Sequence, residues 1–155
     1  MDVIFVCTGN TCRSPLAEAL ARHAAQQRGV DITFGSAGIG AALGSPATDG
    51  AILVGLERGV DLSRHRSRPL LPGAVTRNTV VLVMAPGHIS GVRAAAPEGR
   101  VYMLDEYASN GASMRPIADP FGGDLDDYRG AADAIESMLD AVLDRLVAER
   151  ATGTR

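Results

Sequence analysis

VCTGNTCRSP, at residues 6–15, lies between an apolar run and an amphipathic segment. The run VIFV at residues 3–6 is rich in β-branched residues and predicts a strand buried on both faces, as in a parallel sheet. The segment that follows predicts a helix with Ser14 as its N-cap and Pro15 at its first position, ending near Gly29. Because a helix N-terminus offers unpaired N–H groups and a positive dipole end, the loop between strand and helix is a candidate anion site.

Cys7 and Arg13 add reactive chemistry to this loop. A thiolate near a helix N-terminus and a guanidinium is a strong nucleophile, and a guanidinium fork can hold two oxygens of one phosphoryl group. Ser14 can donate to the sulfur and help it leave in a second step. Gly9 and Asn10 tolerate the positive φ that a loop curled around an anion needs. We therefore predict that Cys7 attacks a bound phosphoryl group.

The rest of the chain predicts alternating strands and helices in one domain, residues 1–155. Further strands are expected at residues 32–36, 79–84 and 101–104. Helices are expected at residues 46–58 (with Ile52, Leu53 and Leu56 on one face), after residue 67, between residues 87 and 97, and at residues 125–150. Residues 105–123 are expected to be irregular. This alternation predicts an α/β fold, a three-layer α/β/α arrangement around a parallel sheet, with the cysteine loop at the carboxyl ends of the strands.

Composition narrows the function classes. The formal charge of −3 argues against a nucleic-acid binder, and no apolar run approaches the ~20 residues of a membrane span. All fifteen cationic side chains are arginine, which excludes a Walker-type lysine loop and lysine Schiff-base chemistry. The motif begins too early to leave room for a signal peptide, so a cytoplasmic monomer with no membrane or nucleic-acid partner is expected.

The cysteines and histidines suggest no metal site. Cys7 and Cys12 are the two cysteines of the chain, and their spacing matches neither a secreted disulfide framework nor a zinc motif. Cys12 can serve as loop packing or as a redox partner of Cys7, since a disulfide would protect a reactive thiolate from irreversible oxidation. His23, His65 and His88 are scattered along the sequence and are expected to be surface or structural residues.

At two places the chain resembles a known family. CTGNTCRSP at residues 7–15 resembles the signature of the low-molecular-weight protein tyrosine phosphatases, and Asp119-Pro120-Phe121 resembles their Asp-Pro loop. The resemblance covers nearly the whole chain. It implies a four-stranded parallel sheet with a phosphate-binding loop after strand 1, a phosphocysteine intermediate, and neither metal nor cofactor. It implies that phosphate is bound by Thr8, Gly9, Asn10, Thr11, Cys12, Arg13 and Ser14.

The same resemblance implies roles for two residues outside the loop. Asp119 is the expected general acid, and a carboxyl kept protonated by a nearby dianion can indeed donate to a leaving group. Asp124, Asp126 and Asp127 are rivals by residue type, but they head the last predicted helix and suit its dipole better. Ser36 matches a family serine that braces the asparagine equivalent to Asn10, although a simple turn at a strand end is the alternative.

Thr11 and Phe121 bear on the substrate. Family members that act on phosphotyrosine usually carry a bulky aliphatic residue in place of Thr11 and a tyrosine in place of Phe121. The combination found here resembles the bacterial protein arginine phosphatases. A threonine hydroxyl suits a polar guanidinium, whereas an isoleucine wall would leave its N–H groups unpaired at a cost of roughly 1–3 kcal/mol. Thr11 as a mere size variant is the alternative.

The favoured function is therefore hydrolysis of phosphoarginine in phosphorylated proteins, with phosphotyrosine as the alternative substrate. Arsenate reduction uses a similar loop on this fold, but it needs further cysteines downstream and none follows Cys12. A non-catalytic phosphoprotein-binding module need not keep nucleophile, arginine and acid together, whereas this chain has Cys7, Arg13 and Asp119.

Overall fold

Strands and helices alternate along the chain in the computed structural model, which describes residues 2–153. The strands are β1 (Val3–Cys7), β2 (Phe34–Gly38), β3 (Val80–Val83) and β4 (Arg100–Met103). The helices are α1 (Arg13–Arg28), α2 (Asp49–Glu57), α3 (Ile89–Ala95), α4 (Leu104–Ala108) and α5 (Leu125–Thr152). Short 3-10 turns lie at Pro72–Ala74 and Pro86–His88.

The four strands form one parallel sheet in the order β2-β1-β3-β4. Strand β1 is central, so Val3 pairs with Phe34 on one side and with Val80 on the other. Its five residues are all buried, as its continuous apolar pattern predicts. The predicted α/β fold with a four-stranded parallel sheet is confirmed, and the 8–12 loop leaves β1 at the carboxyl edge of the sheet.

Helices cover both faces of the sheet. Because side chains alternate along a strand, Val3 and Phe5 contribute to one apolar cluster and Ile4 and Val6 to another. The first cluster is the larger and includes α5 through residues that the sequence places at helical spacing: Ile135, Leu139, Val142, Leu143 and Leu146. Full burial of one such side chain contributes about 1.5–3 kcal/mol. Among residues 2–153, no helix combines the length and apolar character required to cross a membrane.

The start of α1 differs from the sequence prediction. The helix begins at Arg13, with Cys12 rather than Ser14 in the N-cap position. Ser14 cannot cap the helix because its hydroxyl is engaged with Cys7 and Asn10. The predicted end is correct, since Gly29 closes the helix with a left-handed φ of 66°.

Helix α2 presents an unexpected face to the core. Its buried residues are Ala51, Val54 and Gly55, whereas Leu53 and Leu56 are 52% and 57% exposed, so the predicted apolar face is wrong. The reason is close packing: a Cβ on Gly50 would lie 2.5 Å from the ring of Tyr128 in α5. The helix therefore approaches through its small side chains, and the leucines point outward.

Two shorter segments also depart from prediction. Residues 104–108 are helical as α4 rather than irregular, because Glu106 accepts a 3.1 Å hydrogen bond from the Met103 N–H and Arg145 donates to the Tyr107 carbonyl. The helix expected after residue 67 is instead the 3-10 turn at Pro72–Ala74.

Candidate active site

The 8–12 loop depends on one residue in an unusual backbone conformation. Asn10 has a φ of 56° and is fully buried, whereas Gly9 does not use a positive φ. The Asn10 side-chain oxygen accepts from the Arg68 N–H at 3.0 Å, and its backbone carbonyl accepts from Nε2 of His65 at 2.7 Å. Asparagine adopts this conformation more easily than most residues, and these hydrogen bonds hold it there.

The sulfur of Cys7 is buried beside a hydroxyl. Ser14 Oγ lies 2.9 Å from Cys7 Sγ and 2.8 Å from Asn10 Nδ2. Since the Asn10 amide donates to Ser14, the hydroxyl proton of Ser14 is free to point to the sulfur. The expected Ser14–cysteine contact is thus present, in the geometry that would stabilise a thiolate.

The prediction that Ser36 braces Asn10 is wrong, because its hydroxyl has a different hydrogen-bond partner. The Ser36 hydroxyl donates to Glu18 at 2.6 Å, because its side chain on β2 faces helix α1. Its backbone carbonyl accepts from the Arg68 side chain at 2.9 Å, and the Arg68 N–H in turn binds Asn10. Arg68, which the sequence motif does not include, takes the bracing position expected for Ser36.

Arg13 and Asp119 meet at the mouth of the loop. The Arg13 side chain is buried and donates to the Ile117 carbonyl at 2.8 Å, while its other terminal nitrogen lies 3.7 Å from Asp119 Oδ2. The Asp119 side chain is 56% exposed, and its other oxygen accepts from the Phe121 N–H at 3.1 Å. The Arg13 guanidinium is therefore held in place by its hydrogen bond. The Asp119 carboxyl is open to the solvent, and a group that transfers a proton to a substrate must be accessible in this way.

A cleft of about 360 Å³ joins these groups. The buried Cys7 and Arg13 line it, and the half-exposed Thr11 and the 70% exposed Phe121 stand in its wall. Asn10 and Ser14 lie behind the loop rather than in the cleft. The complete lining is Cys7, Thr8, Gly9, Thr11, Cys12, Arg13, Ala42, Ser45, Asp119 and Phe121. Ala42 and Ser45 were not predicted because the 39–48 segment carries no motif.

Cys12 lies against a different set of groups. Its thiol is buried and contacts the Thr48 hydroxyl at 3.4 Å and the Tyr128 hydroxyl at 3.6 Å. Both cysteines are free thiols in this structure. Burial raises the pKa of the Tyr128 phenol, and the neighbouring Cys12 acts in the same direction, so the phenol stays protonated beside the thiol.

Two histidines that the sequence pattern does not connect with the 8–12 loop make contact with it. His65 binds Asn10, and Nε2 of the buried His88 lies 3.1 Å from Thr8 Oγ1. Burial lowers the pKa of His88 below its ordinary value of 6.5, and the Arg13 guanidinium lowers it further. A usable sequence signal existed for His88: it follows β3, whose carboxyl end lies at the same edge of the sheet as the loop.

Known proteins match this chain over almost its full length. Residues 2–152 match the family model for low molecular weight phosphotyrosine protein phosphatase. A protein-arginine-phosphatase from Bacillus subtilis (strain 168) is 36% identical over 152 residues, which covers 97% of this chain and 99% of that protein. A protein-arginine-phosphatase from Geobacillus stearothermophilus is 39% identical over 150 residues, covering 96% and 97%.

Solved structures give the same result. A YwlE arginine phosphatase mutant with a phosphorylated active-site serine superposes with a TM-score of 0.89 at 36% sequence identity, covering 97% of this chain and 98% of that one. Sequence and fold agree over almost the full length. The chain therefore belongs to the low molecular weight phosphotyrosine protein phosphatase family.

Proposed function

We propose that this protein removes phosphate from phosphoarginine side chains of proteins through a phosphocysteine intermediate. One observation supports this most directly: Cys7, Arg13, Thr11 and Asp119 line a single cleft. The names of the two bacterial relatives described above point to the same substrate. We further propose a single-domain cytoplasmic monomer with phosphorylated proteins as its substrates.

In the first step, Cys7 Sγ attacks phosphorus while the phosphorus–nitrogen bond of the substrate breaks. Arg13 and the loop N–H groups hold the phosphoryl oxygens, so the charge that they carry in the transition state is matched by fixed donors. Asp119, protonated beside the bound anion, donates its proton to the departing guanidinium nitrogen. The products are arginine and phosphocysteine.

In the second step, water attacks the phosphocysteine. Asp119, now a carboxylate, takes a proton from that water, and the sulfur–phosphorus bond breaks. Ser14, whose hydroxyl lies 2.9 Å from the sulfur, donates a hydrogen bond that stabilises the departing thiolate. Inorganic phosphate then leaves, and Cys7 is regenerated. Each of these residues lines the cleft or, as Ser14 does, contacts one that does.

Thr11 supports phosphoarginine over phosphotyrosine. Within residues 2–153, the single hydrogen-bonding contact of its hydroxyl is the 3.9 Å approach to Cys12 Sγ, so it remains available to a substrate in the cleft. A guanidinium carries several N–H groups that lose water on binding and need acceptors, whereas an aryl ring has none. Phosphotyrosine remains the second candidate, because the exposed Phe121 ring at the cleft mouth could pack against an aromatic leaving group.

Exchange of Thr11 tests the substrate assignment. A Thr11→Ile variant should lose phosphoarginine-peptide hydrolysis and gain phosphotyrosine-peptide hydrolysis, which would shift the ratio of their kcat/KM values by about tenfold or more. The Thr11→Ser variant keeps the hydroxyl and should stay near the wild-type ratio, and Cys7→Ser should turn over neither peptide. An unchanged ratio in Thr11→Ile would contradict the assignment.

A further inference from the structure

The contact between Thr8 and His88 has no part in the mechanism above. His88 is 6% exposed and lies after β3, where its Nε2 meets Thr8 Oγ1 at 3.1 Å. Its Nδ1 is buried and has no hydrogen-bond partner among residues 2–153. One nitrogen of this buried imidazole thus lies against Thr8, the residue after the nucleophile, while the other has no partner within the described residues. Buried polar atoms are normally hydrogen-bonded, so this arrangement requires an explanation.

Thr8 itself is fixed from two sides. Its backbone carbonyl accepts from the Gly40 N–H at 3.0 Å, and its methyl group lies close to Gly40, where an added Cβ would be 3.5 Å away. The His88 ring engages the hydroxyl. The Thr8 side chain therefore keeps one orientation while its residue remains exposed to the cleft.

The exposure of Thr8, which lines the cleft, indicates which part of a substrate it meets. The floor, formed by Cys7 and Arg13, is buried and takes the phosphoryl group. Thr8 is exposed at the outer wall, as are Asp119 and Phe121. Because Asp119 acts on the leaving-group nitrogen in the proposed mechanism, the outer wall is where the guanidinium of a phosphoarginine would lie.

The unpartnered Nδ1 indicates which nitrogen of the neutral His88 ring carries the proton. A buried N–H without an acceptor is rarer in proteins than a bare acceptor nitrogen, so the proton belongs on Nε2, which then donates to Thr8 Oγ1. Burial and the Arg13 guanidinium lower the pKa of His88, while Asp119 opposes them, and the ring is neutral at pH 7. A neutral ring does not repel a guanidinium beside it.

We propose that Thr8 is a specificity-determining residue whose hydroxyl oxygen accepts a hydrogen bond from the guanidinium of phosphoarginine, and that His88 is the positioning residue that aims it. This inference rests on the proposed function and deepens it. The Thr8 oxygen uses one lone pair for the His88 N–H and keeps the other for the substrate. Thr11 and Thr8 thereby supply two neutral acceptors, in addition to the Asp119 carboxyl.

The first test compares substrates with and without N–H groups. The kcat/KM values for a phosphoarginine peptide and for p-nitrophenyl phosphate are measured with wild type, Thr8→Val and Thr8→Ser. Valine keeps the shape but removes the acceptor, so the phosphoarginine-to-aryl-phosphate ratio should fall about tenfold. Serine should keep the ratio within about twofold. Because each ratio is taken within one preparation, a partly unfolded sample does not change it, and an unchanged ratio in Thr8→Val overturns the proposal.

The second test asks whether His88 acts through Thr8. His88→Leu should lower the same ratio severalfold, whereas His88→Gln, whose amide nitrogen can donate in place of Nε2, should largely retain it. In a Thr8→Val background, His88→Leu should have no further effect on the ratio. If His88→Leu lowers the ratio in the Thr8→Val background as much as it does in wild type, the positioning role is overturned. A failure of the proposed function has a different signature: the wild-type enzyme would hydrolyse p-nitrophenyl phosphate but not the phosphoarginine peptide. That result would overturn this inference as well.

Discussion

Asn10 shows how much of the site depends on a single side chain. It lies in the left-handed region, and its amide and carbonyl groups contact Ser14, His65 and Arg68. Two successive hydrogen bonds, Asn10 to Ser14 and Ser14 to Cys7, connect it with the sulfur. A glycine could adopt the same backbone angle, but it would leave the Arg68 N–H and the Ser14 hydroxyl without their partner.

Asp119 is the residue whose role depends most on the leaving group. Asp119→Asn should lower kcat for a phosphoarginine peptide by about 10²–10⁴-fold, because an amide cannot deliver the proton that the departing nitrogen needs. The loss should be much smaller with p-nitrophenyl phosphate, whose leaving group is stable as an anion. Asp126→Asn, on the exposed face of α5 and paired with Arg129, is the matched control and should change neither rate.

Steady-state kinetics on both substrates would check this prediction. Equal losses on the peptide and on p-nitrophenyl phosphate would argue against Asp119 as the proton donor. They would indicate instead that Asp119 acts mainly through its contact with Arg13, whose side chain lies 3.7 Å away.

Cys12 remains a proposed redox partner of Cys7. Enzyme inactivated by mild peroxide should recover after treatment with dithiothreitol, because a disulfide is reducible whereas sulfinic and sulfonic acids are not. Cys12→Ser should recover far less, since its Cys7 has no thiol to react with. Activity regained after reduction is the measurement, and similar recovery in both proteins would rule out the protective role.

At the scale of elements, the contact between α2 and α5 supports the loop from below. Gly50 in α2 allows the helix to approach the Tyr128 ring, and the Tyr128 hydroxyl contacts Cys12 in the loop. Thr48, just before α2, donates its N–H to the Thr11 carbonyl at 3.0 Å. The separation of the two helices is thus linked to the position of residues 11 and 12.

A pair of glycine substitutions tests this packing. Gly50→Ala should lower the free energy of unfolding by about 1–3 kcal/mol, because the new methyl group would overlap the Tyr128 ring. Gly130→Ala is the control: nothing lies within 4 Å of its added Cβ in α5, and alanine should stabilise that helix by up to about 1 kcal/mol. Urea unfolding of both variants gives the comparison. A stabilised Gly50→Ala would mean that the helices can separate at no cost.

At the scale of the whole molecule, the sequence predicts what lies within one element better than what lies between elements. Strand β1, the loop and α5 were predicted because their signals are local: an apolar run, a dense motif, and helical spacing from Ile135 to Leu146. Asp119 was found through a second local motif. Its meeting with Arg13 followed from the family resemblance rather than from spacing.

Several features that escaped prediction depend on contacts across the fold. Leu53 and Leu56 are exposed because α5 approaches α2 through Gly50, and nothing in the α2 pattern records that partner. Ser36 binds Glu18 rather than Asn10, since its side chain faces α1. His88 reaches Thr8 only because β1 and β3 are neighbours in a parallel sheet. Such pairings need the topology before they can be recognised.

The hydrogen bond from Arg13 to the Ile117 carbonyl has a consequence for how the protein is made. Ile117 is itself anchored by its N–H to the Met84 carbonyl at the end of β3. During synthesis the nucleophile and its loop emerge from the ribosome about a hundred residues before the segment that clamps the guanidinium. The growing chain thus carries Cys7 while this whole stretch is synthesised, before it gains a fixed Arg13 and the proposed proton donor. In the proposed mechanism, catalytic competence therefore waits for residues 117–119.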